Sequence, residues 1–306
     1  MSGRRLLFHR DFLGYTGGHG KVWDYFNHAI ALGWDARVHL TAGSLRDASN
    51  PWMAMPERIE PRWQPGQADA LFLGGMDWQA LPNGLETRMP VFNLVQHVRH
   101  ADSALPLRGF LGRRAWRVCV STPVAEAIDA TGLVNGPVRV IPAALDAAVT
   151  SMASPPRRAG VFIAAQKHPQ LGRALADVLA DLDQPVRLAD EWMPRADYLH
   201  ALANATVAVT LPHATEGFFL PGLEAMALGA ALVMPDSVGS REYAADDVNC
   251  LVPGATADAL AVAVRRLCTD ADLRTRLIEA GQTTAARHAP EQERGSFAAL
   301  LREAFP

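Results

Sequence analysis

The sequence predicts an α/β protein of two doubly wound domains, each a parallel sheet with helices on both faces. Three observations carry this. Short apolar runs alternate with helical periodicities from end to end, the pattern of βα units that leads to parallel pairing. The segment TSMASPPRRAG (150–160) is rich in Pro, Ser and Arg, lacks periodicity and splits the alternation in two. At 306 residues the chain has material for two cores of ordinary size.

Taken in order, the expected strands of the first half are RLLFHRDF (5–12), ARVHLTA (36–42), ADALFLGG (68–75), PVFNLVQ (90–96), RVCVST (117–122) and VRVIPAA (138–144). Those of the second half are GVFIAAQ (160–166), PVRLAD (185–190), TVAVTLP (206–212), AALVMPDS (230–237) and NCLVP (249–253). Amphipathic stretches lie between them, among them VWDYFNHAIALGW (22–34), LGRALADVLADL (171–182) and ADALAVAVRRLC (257–268). The expected domains are 1–149 and 160–306 with a linker at 150–159, and the last helix, about 290–304, is free to return to the N-terminal domain. Ligands of doubly wound sheets bind outside the carboxyl ends of the strands, so the loops of both domains are expected to face one cleft.

Composition narrows the function. A net charge of −3 supplies no electrostatic footprint for nucleic acid. Cys119, Cys250 and Cys268 are odd in number and scattered, which argues for a reducing, cytoplasmic setting and against a disulfide framework or a cysteine-based zinc site. The N-terminus lacks the apolar core of a signal peptide, and no apolar run reaches the roughly 18 residues of a membrane span.

The stretch GYTGGHGKVW (14–23) raises the question of a phosphate loop. A Walker loop needs G-x-x-x-x-G-K-[ST], and here Tyr15 and Val22 occupy the outer positions. The dinucleotide fingerprint starts at Gly18 and Gly20 but meets Trp23 where its third glycine allows close helix packing. What survives is a glycine-rich strand-to-helix turn at a helix N-terminus, a place suited to an anion or simply to a tight turn. No H-E-x-x-H, G-x-S-x-G or spaced Cys/His cluster occurs. The D-x-D matches at Asp181/Asp183 and Asp270/Asp272 fall beside or within helical patterns, so no metal site is expected.

The most informative stretch is HATEGFFLPGLEAMALGAALVMPDSVGSREYAADDVNCLVP (213–253), which directly follows an expected strand. Pro221 suits the first turn of a helix and Gly229 its end. Glu216 is then expected in the loop before the helix and Glu224 in its first turn. Two carboxylates there would accept hydrogen bonds from the hydroxyls of a sugar or ribose. The plainer alternative is that Glu216 caps the helix and Glu224 favours its dipole.

This stretch resembles the donor-binding signature of retaining GT-B glycosyltransferases, particularly glycosyltransferase family 4, whose pattern is E-G-F-G-L-P-x-x-E-A-M-A-x-G. Glu216 and Glu224 match its spacing, and Gly217, Phe218, Leu220, Pro221, Ala225, Met226, Ala227 and Gly229 match around them. The likeness continues through VGSRE, ending at Glu242, and more weakly into CVSTPVAEAI and VRVIPAALD. It implies two Rossmann-like domains, acceptor side first and nucleotide-sugar donor side second. It also implies that Glu224 binds the ribose hydroxyls and Glu216 the donor sugar, with Gly217, Phe218, Phe219 and Leu220 facing sugar and diphosphate. The N-terminal turn corresponds to the family's glycine-rich one, so Gly17, Gly18, His19 and Gly20 should face the donor diphosphate or the acceptor.

Three departures stand out. Phe219 replaces a glycine, which would strain the chain if that position required φ > 0. The family's G-R-x-x-x-x-K clamp is broken by Ala164 and Ala165, leaving Lys167 as the expected phosphate cation and Arg173 as the second candidate. The family's histidine near the sugar corresponds to a segment offering Gln96, His97 and His100, with His97 taken as the catalytic candidate beside Glu216 and Lys167.

The resemblance implies a hexosyltransferase of polysaccharide biosynthesis acting with retention, on a glycan or lipid-linked acceptor, with no metal and no cofactor beyond the nucleotide-sugar co-substrate. A sugar-nucleotide epimerase and a non-catalytic nucleotide-sugar-binding partner are the alternatives. The run 97–118, with five arginines among Phe110, Leu111 and Trp116, is expected to be a helix whose basic face is solvated or lies against an anionic membrane or lipid pyrophosphate.

Overall fold

The computed structural model describes residues 3–14, 16–152 and 159–306. The chain forms two compact units, Met1–Ala143 with Glu293–Pro306, and Ala144–Gln292. The boundary thus falls at Ala143/Ala144, ahead of the expected linker at 150–159, most of which lies outside the described residues.

In the first unit, β1 (Arg5–Arg10) leads into helix α1 (Gly17–Ala31), followed by β2 (Asp35–Leu40), β3 (Ala70–Gly74), β4 (Val91–Val95), β5 (Trp116–Cys119), helix α2 (Thr122–Asp129) and β6 (Val138–Val140). The strands pair in parallel in the order β2-β1-β3-β4-β5-β6. From β1 the chain moves first to β2 on one side, then to β3 and onward on the other, so the sheet has a switch point between β1 and β3. The end of the C-terminal helix belongs to this unit, and its Phe297 packs edge-on against Tyr25 and Phe72 at ring-centroid distances of 5.0 and 6.0 Å.

The second unit begins with a short helix α3 (Ala147–Thr150) and alternates β7 (Val161–Ala164), α4 (Pro169–Val178), β8 (Val186–Ala189), α5 (Arg195–Asn204), β9 (Val207–Thr210), α6 (Leu220–Ala227) and β10 (Ala231–Val233). Helices α7 (Ala257–Thr269), α8 (Ala271–Ala286) and α9 (Pro290–Ala304) close the chain. The parallel sheet runs β10-β9-β7-β8, with its switch point between β9 and β7. Val161, Ile163, Val207 and Val209 enter one core, and the intervening Phe162, Ala164 and Ala208 another. Successive side chains of a strand face opposite sides, so both faces of this sheet are covered.

Three expectations are corrected here. NCLVP is not a strand: Leu251 makes a single bridge to Val233, because the Asn249 side chain binds the backbone of Tyr243 and Ala245 and holds the segment in a turn. The basic run 97–118 is not one amphipathic helix but two 3₁₀ segments, Val98–Ala101 and Pro106–Gly112, followed by β5. Its Arg117 is wholly buried and donates to Asn93 at 2.6 Å, while Arg113 forks onto Glu86 at 2.7 and 3.0 Å, so much of its charge is spent inside the unit. Lastly, the glycine-rich turn is already helical at Gly17. No helix among the described residues is long and apolar enough to cross a membrane.

Candidate active site

The loops after β7, β8 and β9 emerge side by side at the carboxyl edge of the second sheet, because the strands are adjacent and parallel. Lys167 follows β7 and Glu216 follows β9, placing them on the two sides of the switch point. Lys167 Nζ lies 2.5 Å from Glu216 Oε1, which also accepts the His213 N–H at 3.1 Å. Glu216 therefore does not cap α6; the residue before that helix is Phe219, with no side-chain cap. The charges of Lys167 and Glu216 neutralise each other, while Lys167 remains 40% exposed. The Lys167 ammonium also sits 5.1 Å from the centre of the Phe219 ring.

Phe219 is unstrained. Its φ is −95°, so the position does not require the left-handed conformation, and its ring is buried in the core while its carbonyl accepts the Tyr243 hydroxyl. Leu220 opens α6, and Pro221 occupies its first turn as expected. Gly229, at φ +74°, closes α6 with the paired bonds Gly229 N–H to Met226 and Ala230 N–H to Ala225 that satisfy the last carbonyls.

Glu224 is the fifth residue of α6, not in its first turn, so the helix end does not hold it. Arg195 does, from the first position of α5 after β8. Its guanidinium donates to both Glu224 oxygens at 2.7 and 3.0 Å and to Asp146, before α3, at 2.6 Å. Burial raises the Glu224 pKa, with Arg195 opposing it. Burial works to lower the Arg195 pKa, but Glu224 and Asp146 leave it raised. Arg173 stands apart on α4, more than half exposed, bonded to Asp190 at 2.5 Å.

Gly217 and Phe218 complete the Glu216 loop, with the Phe218 ring 5.5 Å from those of Tyr243 and His288. This loop rests on Gly239. A Cβ there would lie 2.7 Å from backbone atoms of Glu216, Gly217 and Phe218, so only glycine lets the VGSRE turn approach so closely. Gly239→Ala should displace the Glu216 loop, at a cost of about 1–3 kcal/mol for overpacking. Thermal unfolding should show a lowered Tm. A variant with an unchanged Tm would contradict this packing.

In the first unit, Gly17, Gly18, His19 and Gly20 form the first turn of α1, with Thr16 as N-cap. Gln96, just after β4, donates its amide to the Gly18 carbonyl at 3.2 Å and so joins this turn. His19 Nδ1 lies 2.8 Å from an Arg10 nitrogen at the end of β1. Lys21 points inward, to Glu293 at 3.0 Å and Asp24 at 2.7 Å, and is almost wholly buried. His97, half-buried, accepts the Arg99 N–H at 3.0 Å through Nδ1 and begins the 3₁₀ segment beyond it. His100 is buried, which brings its pKa down to about 4; that environment fits a structural role better than a ligand contact.

Sequence reasoning missed Arg195 and Asp146, which form one chain of hydrogen bonds with Glu224. Each lies at or just beyond the carboxyl end of a strand, a position that sequence order alone marks only weakly.

Residues 191–284, which include both signature glutamates, match the family described as glycosyl transferases group 1. No curated protein matches the chain by sequence. Among solved structures, a sucrose-phosphate synthase from Thermosynechococcus elongatus is similar at TM-score 0.73 with 13% identity, covering 99% of each chain. HepE from Anabaena, in complex with UDP and glucose, gives TM-score 0.73 at 16% identity over 98% of this chain and 100% of its own. The lipopolysaccharide outer core galactosyltransferase WaaB gives TM-score 0.67 at 12% identity over 98% and 99%. The fold is GT-B. Within this GT-B chain the matched family segment begins beside the β8 edge and carries Arg195, Glu216, Glu224 and Gly239 together.

Proposed function

We propose that this protein is a glycosyltransferase that moves a sugar from a nucleotide-sugar to a glycan or lipid-linked acceptor, with retention and without a metal. The observation that carries the reading is the Glu216–Glu224 pair inside the matched family segment, with a half-exposed lysine beside the first glutamate. In this reading the ribose hydroxyls bond to Glu224, the donor sugar hydroxyls to Glu216 and the diphosphate to Lys167. HepE, of the same fold, is seen with UDP, UDP-glucose and glucose, which supports a nucleotide-sugar as donor class.

Departure of the nucleoside diphosphate leaves negative charge on its phosphoryl oxygens, and a positioned ammonium stabilises that charge as it develops. Retention follows if the acceptor attacks from the face the diphosphate leaves, with the leaving phosphate taking the acceptor proton; no protein nucleophile is assigned. A thermal-shift panel of nucleotide-sugars tests the reading. One donor should raise Tm by mass action, and with that donor and a suitable acceptor, turnover should persist in EDTA. Lack of any stabilisation across the panel would overturn the function. Activity abolished by EDTA and restored by Mg²⁺ or Mn²⁺ would overturn the metal-free mechanism alone.

A further inference from the structure

Lys167 is one of only two lysines in the chain; the rest of its 29 basic residues are arginines. The other, Lys21, is buried against Glu293 in the first unit. Four residues, Ala165 to His168, join β7 to α4 and carry Lys167. The Ala165 N–H bonds to the Ala189 carbonyl at 2.8 Å, and the His168 N–H returns to the Ala165 carbonyl at 2.9 Å. Gln166 and Lys167 are thus the central pair of a four-residue turn. Helix α4 closes directly on this turn, since a Cβ on Gly172 would lie 2.2 Å from that of Ala165. The His168 carbonyl accepts the Gly172 N–H at 3.0 Å and so begins the helix, but the His168 side chain does not cap it.

The ring crosses instead to the loop after β9. His168 Nε2 lies 3.0 Å from the Pro212 carbonyl oxygen, and the His213 ring meets it edge-on at a centroid distance of 4.8 Å. A carbonyl only accepts, so Nε2 carries the proton and donates. Beyond Pro212 the chain turns again: the Glu216 N–H bonds to the His213 carbonyl at 3.3 Å, and the Glu216 carboxylate accepts the His213 N–H at 3.1 Å. The bond therefore leaves one residue after Lys167 and lands on the residue before the turn that ends in Glu216.

We infer that His168 is a positioning residue, whose Nε2–H bond to Pro212 keeps the Lys167 turn in place when a diphosphate draws the ammonium away from Glu216. This rests on the reading of Lys167 as the diphosphate cation. An ammonium is a point charge on a flexible four-carbon stem, so its place is set by what holds its head and its root. Glu216 holds the head only until the diphosphate arrives. From then on the root decides, and a charge already in position stabilises the leaving group better than one that must reorganise.

Lysine side-chain NMR on the full chain tests this, with Lys167→Arg identifying one signal and Lys21 serving as the internal reference. Inorganic pyrophosphate should shift the Lys167 signal and leave that of Lys21 in place. His168→Leu, which removes the donor, should require roughly fivefold more pyrophosphate for the same shift. His168→Gln, which keeps an N–H donor, should restore most of the response. A merely structural role would lower the Tm of both variants and leave the Lys167 response of the folded protein unchanged. Nitrogen NMR of the wild-type ring needs no variant to fold for its reading: His168 should carry its proton on Nε2.

An Nδ1–H tautomer, a full pyrophosphate response in His168→Leu, or equal impairment of the Gln and Leu variants would each overturn the inference alone. Indifference of the wild-type Lys167 signal to pyrophosphate would overturn the diphosphate reading, and this inference with it.

Discussion

Glu224→Ala should weaken UDP binding by roughly ten- to a hundredfold, since charge-assisted hydrogen bonds contribute about 1.5–3 kcal/mol. A carboxylate has about four lone-pair sites. Arg195 takes one on each oxygen, so each oxygen keeps capacity for one hydroxyl, which suits the vicinal diol of a ribose. Arg195 also fixes the plane of the carboxylate, so Glu224 meets a ligand already oriented. The substitution removes that arrangement but leaves Arg195 its bond to Asp146 and 42% exposure to water. The loss of stability should therefore be small beside the loss of affinity. Unchanged UDP affinity in folded Glu224→Ala would overturn the ribose assignment.

Arg195→Met is the complementary case. Burial already raises the Glu224 pKa, and without Arg195 the opposing cation is gone. The folded protein then holds a proton on Glu224 to higher pH than the unfolded chain does. Stability should be fully present below the ordinary carboxylate range and fall as pH rises toward the raised folded value, more steeply than in the wild type. Thermal unfolding measured across acidic to neutral pH reads this difference directly.

The fold was largely legible because burial on both faces of a parallel sheet leaves continuous apolar runs, and ten of the eleven such runs noted are strands among the described residues. The exception, NCLVP, is short and is diverted by Asn249, whose amide competes for backbone partners that a strand would have used. The basic run misled for a related reason. Periodicity cannot tell a solvated arginine from one such as Arg117, whose charge is met by Asn93 on β4 and by the carbonyls of Phe110 and Leu111. In the candidate site, Glu216 and Glu224 could be singled out because the signature's spacing survives in one short segment, and Lys167 as the cation left by the broken G-R-x-x-x-x-K clamp. Arg195 could not, since its relation to Glu224 exists only once β8 and β9 have been placed in the same sheet edge. Phe219 looked like a flaw under the assumption of a left-handed backbone; at φ −95° it is instead an ordinary core residue whose ring faces the Lys167 ammonium.

Lys167→Ala should lower kcat/KM by roughly a hundredfold, more than Arg173→Ala, with kcat bearing much of the loss. The two cations differ in what holds them. Lys167 comes from the loop after β7, pairs with Glu216 across the switch point and rests over Phe219. Arg173 lies a turn along α4 and pairs with Asp190 at the end of β8 rather than with either signature glutamate. A diphosphate arriving at the switch point would draw the Lys167 ammonium from a carboxylate oxygen to phosphoryl oxygens, a short exchange of partners that leaves Glu216 able to accept sugar hydroxyls. Removing Lys167 takes away that counter-charge just as the leaving group becomes more negative, so the transition state loses more than the ground state. It also leaves Glu216, 13% exposed, with its bond to the His213 N–H but without its cation, and its negative charge then opposes the incoming diphosphate. Glu216→Gln separates these effects, because it removes the opposing charge and frees Lys167 together. If Lys167 is the phosphate cation, Glu216→Gln should bind UDP at least as tightly as wild type while losing turnover with the intact nucleotide-sugar. A folded Lys167→Ala enzyme with near-normal kcat/KM, beside an inactive Arg173→Ala, would instead assign the diphosphate to Arg173.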